Sequence, residues 1–312
     1  MQLTIILIAA ILGLLYGANT NGFIFSAKIC LFAGLTLIMP TLFHVKLQDI
    51  KLVLQYKTVI IKTLVVNYIL LPFIALLIGL LTHDFGIAAG LFLLSVLSGG
   101  GMVMYWIKKS DADTSIGFIL LLVNLLFISL SLLMLHIFGI YTAAYFDESY
   151  ADVSNISNFA RAVIVLLIVV PFLASRIVLL IKPLQNFIEE KRSYISSISL
   201  FVILFYLFGL QNSQLLFELY SFEPELIVIA VVAVIAFYFS IFMVSKRIYN
   251  LDSAQERAAF WHTVTRYITL ALVLSTFSTN TFGVSMILPI MFAYMVQIPF
   301  AIFLDKKMSI RK

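Results

Sequence analysis

Apolar residues run along this chain in blocks of about twenty, divided by short clusters of charge, glycine and proline. A block of that length, wound as a helix, rises about 30 Å, the thickness of a bilayer's hydrocarbon core. Apolar length and punctuation together predict ten helical spans, at residues 2–17, 22–43, 58–82, 86–107, 114–141, 158–181, 194–217, 225–246, 257–281 and 283–304. The opening run LTIILIAAILGLLYG has no Lys or Arg before it and no clear cleavage site, so it reads as the first span and not as a signal peptide.

Composition turns this pattern into a class. The chain is 62% hydrophobic and 11% charged, with a mean hydropathy of +1.10, whereas a soluble domain carries about 25% charged residues. An all-α polytopic membrane protein surrounded by lipid is expected. The net charge of +5 would suit nucleic acid only on a solvated basic face, and no such domain is present, so no nucleic-acid partner is expected. The single Cys30 lies in an apolar run, and His44, His83, His136 and His262 are dispersed. Neither a metal site nor a cofactor is expected from that inventory.

The charges are ordered. Lys46, Lys51, Lys57 and Lys62 fall near one connection, Lys108 and Lys109 at another, then Arg176, Lys182, Lys191 and Arg192, then Lys246, Arg247 and Arg257, and finally Lys306, Lys307, Arg311 and Lys312. With ten spans all of these lie on one side, and the intervening loops hold acids such as Asp84, Asp147, Glu148, Asp152, Glu223 and Glu225. The excess of basic residues on cytoplasmic loops places both termini in the cytoplasm, as expected of a protein of the bacterial inner (cell) membrane. Five spans precede the longest external loop, 142–157, and five follow it. An odd number per half inverts the second half relative to the first; ten spans that arise without duplication are the alternative. The expected domains are therefore a first five-helix repeat at 1–141, the loop 142–157 and a second repeat at 158–312.

Three basic residues escape the cytoplasmic set. Lys28 and Arg161 lie near the external ends of their helices, within snorkelling reach of the headgroups. Arg266 falls about nine residues into its span, where a charge costs at least about 2.5 kcal/mol, and no span interior holds an Asp or Glu to neutralise it. Such a cation is expected to face a water-filled cavity or to bind an anion that is not part of the protein; the alternative is that it caps the carbonyls of an interrupted helix.

The stretch SGGGMVMYW, residues 98–106, sets three glycines in the middle of the fourth span. Each costs roughly 1 kcal/mol in a helix relative to alanine, so an interruption is expected there, with a half-helix starting at Met102 and offering free N–H groups. Close helix packing through small residues is the alternative. In an inverted repeat the fourth and ninth spans are partners, and Gly100 and Arg266 reach one depth. The ninth span, WHTVTRYITLALVLSTFSTNTFG, is also the most polar, with His262 one turn before Arg266. Ser98, Gly99, Gly100, Gly101, Arg266 and Thr269 are the expected solute-binding residues. His262, Thr265, Asn67, Asn124 and Gln297 are expected to line the pocket or take part in coupling.

The residues LFAGLTLIMPTLFHVKLQDI, NYILLPF and MVMYWIKKSDADTSIGFILLLVN, and more loosely TRYITLALVLSTF and PIMFAYMVQIPFAIFL, resemble the superfamily of bile acid:sodium symporters and arsenite efflux permeases. The resemblance implies ten helices in two inverted five-helix repeats, a panel and a core domain, and interrupted fourth and ninth helices crossing at the centre. It also marks departures. The permeases' essential Cys falls at Gly99, and their acidic residues in the ninth and tenth helices at Ile268 and Gln297, which makes arsenite a doubtful substrate. The symporters' sodium-binding Glu and Gln fall at His262 and Arg266, and a free cation is disfavoured beside an arginine.

The function expected from all this is secondary transport of a small anionic solute by alternating access, without enzymatic chemistry. Proton coupling through His262 is favoured over sodium, and a homo-oligomer is left open. The competing reading is a membrane-embedded sensor or enzyme that binds a small anion without moving it. An enzyme would need a paired acid and base or a metal cluster, which the spans do not supply.

Overall fold

The computed structural model describes residues 2–24, 26, 28–43, 56–100, 103–150, 165–210 and 224–309. Of the positions singled out above, His44, Lys46, Lys51, Gly101, Met102, Asp152, Arg161, Glu223, Arg311 and Lys312 lie outside the described residues. Among those described the fold is all helical, and the extended pairings are two isolated bridges, Phe23 with Leu210 and Ser98 with Arg266. Among the described residues four helices are long and apolar enough to cross a membrane: Lys57–Leu80, Ile128–Phe146, Pro224–Ile248 and Val284–Lys306. A fifth candidate is the pair Lys182–Glu190 and Tyr194–Phe208, bent by 70°. The expected spans 86–107 and 257–281 do not appear as continuous helices, because each is cut in two.

The chain forms two compact units, and they cut across its sequential halves. One joins Met1–Leu47 to Val153–Ser221; the other joins Gln48–Asp152 to Phe222–Lys312. In the first unit Gln2–Thr20 packs along Arg192–Phe208. The backbones approach so closely that a Cβ at Gly13 would lie 2.5 Å from the Phe205 carbonyl oxygen. Glycine permits that contact, and in a bilayer close backbone packing replaces the hydrophobic drive that lipid removes. Phe23 then stacks on Tyr16 and Tyr206, with ring centroids 4.7 and 5.2 Å apart.

Proline leaves a regular mark on the helices. Pro40, Pro72 and Pro171 each follow, two residues on, a widened π-type turn, at Gly34–Ile38, Val66–Leu70 and Val165–Val169. A proline ring lacks the N–H and collides with the carbonyl one turn back, and a wider turn accommodates both defects. The second of these turns carries Asn67, which it presents to the interior of the larger unit.

At one end of that larger unit the polar helix ends are tied together. Lys62 pairs with Glu256 at 2.7 Å and Lys109 with Asp305 at 2.7 Å, while the Asp113 N–H donates to the Ala254 carbonyl at 2.9 Å. Lys62 and Lys109 belong to the clusters that the charge pattern assigns to a single side, and each is paired with an acid of its own unit.

Candidate functional site

The site is built from two broken helices in the larger unit. The first runs Phe85–Val96, capped by Asp84, whose carboxylate accepts from the Ile87 N–H at 2.7 Å. Every residue of this helix is buried. It ends as Leu97 turns extended and Gly99 takes φ +70°, a left-handed conformation that glycine adopts without strain. Helix resumes at Val103–Lys109, where the Val103 N–H bonds the Gly100 carbonyl at 2.9 Å. That donor, expected to face an anion, is thus already engaged.

The second broken helix runs Ala254–Val264, opens at Thr265, Arg266 and Tyr267, and resumes as Ile268–Phe282. Each break strips backbone groups of their helical partners, which is costly in a dry interior. The two breaks satisfy each other. They pair antiparallel at Ser98 and Arg266, with the Gly99 N–H donating to the Thr265 carbonyl at 2.8 Å and the Tyr267 N–H to the Leu97 carbonyl at 3.0 Å. This contact explains two of the glycines. A Cβ on Gly100 would stand 2.7 Å from the Arg266 carbonyl oxygen, and one on Gly99 would overlap the His262 ring. Both serve close approach of one backbone to the other, the small-residue alternative, and the missing side chain of Gly100 faces a carbonyl and not a cavity.

Arg266 is 1% exposed, and its guanidinium does not face a cavity. Nε donates to the Leu94 carbonyl at 2.9 Å, Nη1 to Asn67 Oδ1 at 2.6 Å and to the Thr263 carbonyl at 2.9 Å, and Nη2 to the Ser95 carbonyl. Four of its five N–H donors are thereby bonded to protein oxygens. The expectation of an unneutralised cation is corrected accordingly: the alternative, capping of interrupted helices, is the arrangement found. The physical reason is that carbonyls released by a break are acceptors, and they hydrogen-bond a buried guanidinium where no carboxylate is at hand.

Gln297 holds the backbone of the same residue. Its Oε1 accepts from the Arg266 N–H at 2.6 Å and from the Tyr238 hydroxyl at 2.8 Å, and its Nε2 faces the Arg266 carbonyl oxygen at 3.4 Å. His262 is fully buried between two partners, with Nε2 2.8 Å from the Gly117 carbonyl and Nδ1 3.4 Å from Asn124 Nδ2. A carbonyl can only accept, so the proton sits on Nε2 and Nδ1 receives the amide N–H. Thr265 Oγ1 donates to the Trp261 carbonyl at 2.5 Å, and Thr269 shares a hydrogen bond of 2.7 Å with the Tyr294 hydroxyl.

Beside the crossing lies a small cavity lined by Leu97, Ser98, Gly99, Asn124, Tyr267 and Leu270, among others, with room for about one water molecule. Ser98 Oγ and Asn124 Oδ1 are buried there without a hydrogen-bond partner. A buried polar atom left so costs about 1–3 kcal/mol, which makes these two the groups in the crossing most ready to accept a ligand.

Asn67, Ser98, Gly99, Gly100, Asn124, His262, Thr265, Arg266 and Gln297 therefore converge on one place, with Thr269 at the start of the following half-helix. Tyr238, Tyr294 and the carbonyls of Leu94, Ser95, Gly117 and Thr263 belong to the same network and carry no sequence signal: carbonyls are common to all residues, and the tyrosines are two among fourteen.

The meeting of two broken helices at a buried polar centre is the architecture of a class of integral membrane transporters. Residues 30–218, more than half of the chain, match the family described as the Sodium Bile acid symporter family, and the chain belongs to that family. The match includes the first broken helix and ends before the second, so His262, Arg266 and Gln297 lie beyond it. No curated protein matches the chain.

Proposed function

We propose that the chain is a secondary transporter that moves a small anionic solute by alternating access. Its ten spans form two inverted five-helix repeats, split so that the first two helices of each repeat make a panel and the last three a core, with both termini cytoplasmic. The observation that carries this reading is the crossing itself. Non-helical backbone at membrane depth is tolerated where it is buried or lines a solute path, and here it borders a cavity with two unpartnered polar atoms, Ser98 Oγ and Asn124 Oδ1. The family's own description names an acid as its solute.

Purified protein in lipid vesicles should take up a bile acid or a smaller carboxylate saturably, with competition from other organic anions and none from their neutral amides. Binding without flux would replace the transporter with a sensor. Sodium and pH gradients imposed on the same vesicles identify the coupling ion. The topology has its own check: single cysteines within 46–57 and 182–192 should resist an impermeant thiol reagent in intact cells, while those within 147–152 should react. Labelling of both groups would break the ten-span arrangement.

A further inference from the structure

The partners of Arg266 are not scattered. The Leu94 and Ser95 carbonyls belong to the last turn of Phe85–Val96, and the Thr263 carbonyl to the last turn of Ala254–Val264. A helix's last four carbonyls lack intrahelical partners, and its C-terminal end carries the equivalent of about half a negative charge. Two such ends point at one guanidinium, and together they offset about one positive charge. Asn67 adds a side-chain oxygen at 2.6 Å, turned inward by the widened turn before Pro72. The result is a cage of oxygen acceptors with the chemistry of a monovalent cation site, filled by a side chain.

We propose that Arg266 is a tethered cation. Its guanidinium occupies a cation site formed by the ends of the two leading half-helices, so the crossing is complete without an inorganic ion, and neutralising Arg266 uncovers a site that a free cation can fill. The fork geometry explains the choice of residue. Nε and Nη2, on one edge, reach the consecutive Leu94 and Ser95 carbonyls, while Nη1 bridges Asn67 and the other helix end. A lysine ammonium carries the same charge at one point and cannot span both helix ends. Because the cation is covalently attached, its occupancy does not follow any ion gradient. This deepens the transporter reading, in that coupling through the crossing would not depend on sodium binding there.

The test is melting of the purified protein in detergent, which requires no flux. Wild type should melt at the same temperature in sodium and in choline chloride. Arg266→Ala and Arg266→Gln should lose about 10 °C, since carbonyls of both helix ends are left buried without a partner. They should regain part of it, saturably, with millimolar guanidinium or with sodium, but not with choline, which is too large for the cage. Arg266→Lys should melt between wild type and Arg266→Ala and stay insensitive to sodium. The proposal is overturned if the neutral variants gain no more from guanidinium or sodium than wild type does, or if wild type itself shows a saturable rise in sodium over choline. If neither neutral variant inserts, Asn67→Ala keeps the charge and removes one oxygen. It should remain sodium-insensitive, and a saturable sodium response there overturns the proposal equally. Cation rescue without flux in vesicles would sink the transporter reading and leave the tethered cation standing; flux without rescue would do the reverse.

Discussion

Gln297→Leu should lower the melting temperature of the detergent-solubilised protein by about 10 °C, corresponding to about 3–5 kcal/mol. The side chain is 5% exposed, and one amide serves three groups that have little alternative. Its Oε1 accepts from the Arg266 N–H at 2.6 Å and the Tyr238 hydroxyl at 2.8 Å, while Nε2 sits 3.4 Å from the Arg266 carbonyl. Leucine fills a similar volume, so the loss would come from orphaned polar groups and not from a cavity. Each buried donor or acceptor without a partner costs about 1–3 kcal/mol, and neighbours in one network do not add fully. Tyr238→Phe removes one of the three interactions and leaves the backbone of Arg266 held, so its effect should be near 1 kcal/mol. Were Gln297→Leu to melt with wild type, the break at Arg266 would have to be held by something other than this amide.

The sequence makes some of this arrangement legible for definite reasons. Apolar blocks of helical length can be read directly, because lipid demands them of any spanning helix. The first break is legible because three consecutive glycines are expensive in a helix. The second has no such signature: Thr265, Arg266 and Tyr267 contain neither glycine nor proline, and that break is held open by pairing with Leu97 and Gly99 and by Gln297, all distant in sequence. The partners of Arg266 were hidden for a related reason. A search for neutralising charge looks for Asp and Glu, whereas the neutralising atoms here are main-chain carbonyls whose availability depends on where a helix stops. The two compact units are hidden as well, since each unites two segments that are not adjacent in the chain, Met1–Leu47 with Val153–Ser221 and Gln48–Asp152 with Phe222–Lys312.

Gly99→Ala should destabilise the crossing by about 2–5 kcal/mol, more than Gly100→Ala at about 1–3 kcal/mol, although the two glycines are neighbours. At Gly99 two costs act together. The residue sits at φ +70°, where an L side chain costs about 1–2 kcal/mol, and its Cβ would collide with the His262 ring and stand 2.9 Å from Asn124 Nδ2. Relief by moving His262 would break its bond to the Gly117 carbonyl. At Gly100 no such φ restriction applies, but the Cβ would lie 2.7 Å from the Arg266 carbonyl oxygen and 3.1 Å from Tyr267 Cα. Both obstacles are backbone, so a larger side chain such as leucine should prevent the two breaks from pairing at all. Ser98→Ala provides the contrast, because it removes a hydroxyl that has no partner and leaves the backbone pairing intact. Its melting temperature should stay at or above that of wild type, because the buried hydroxyl it removes is one that lacks a partner. Thermal melts of the three alanine variants rank them directly. If Gly99→Ala melts no lower than Ser98→Ala, the close contact between the two broken helices is not what holds this site together.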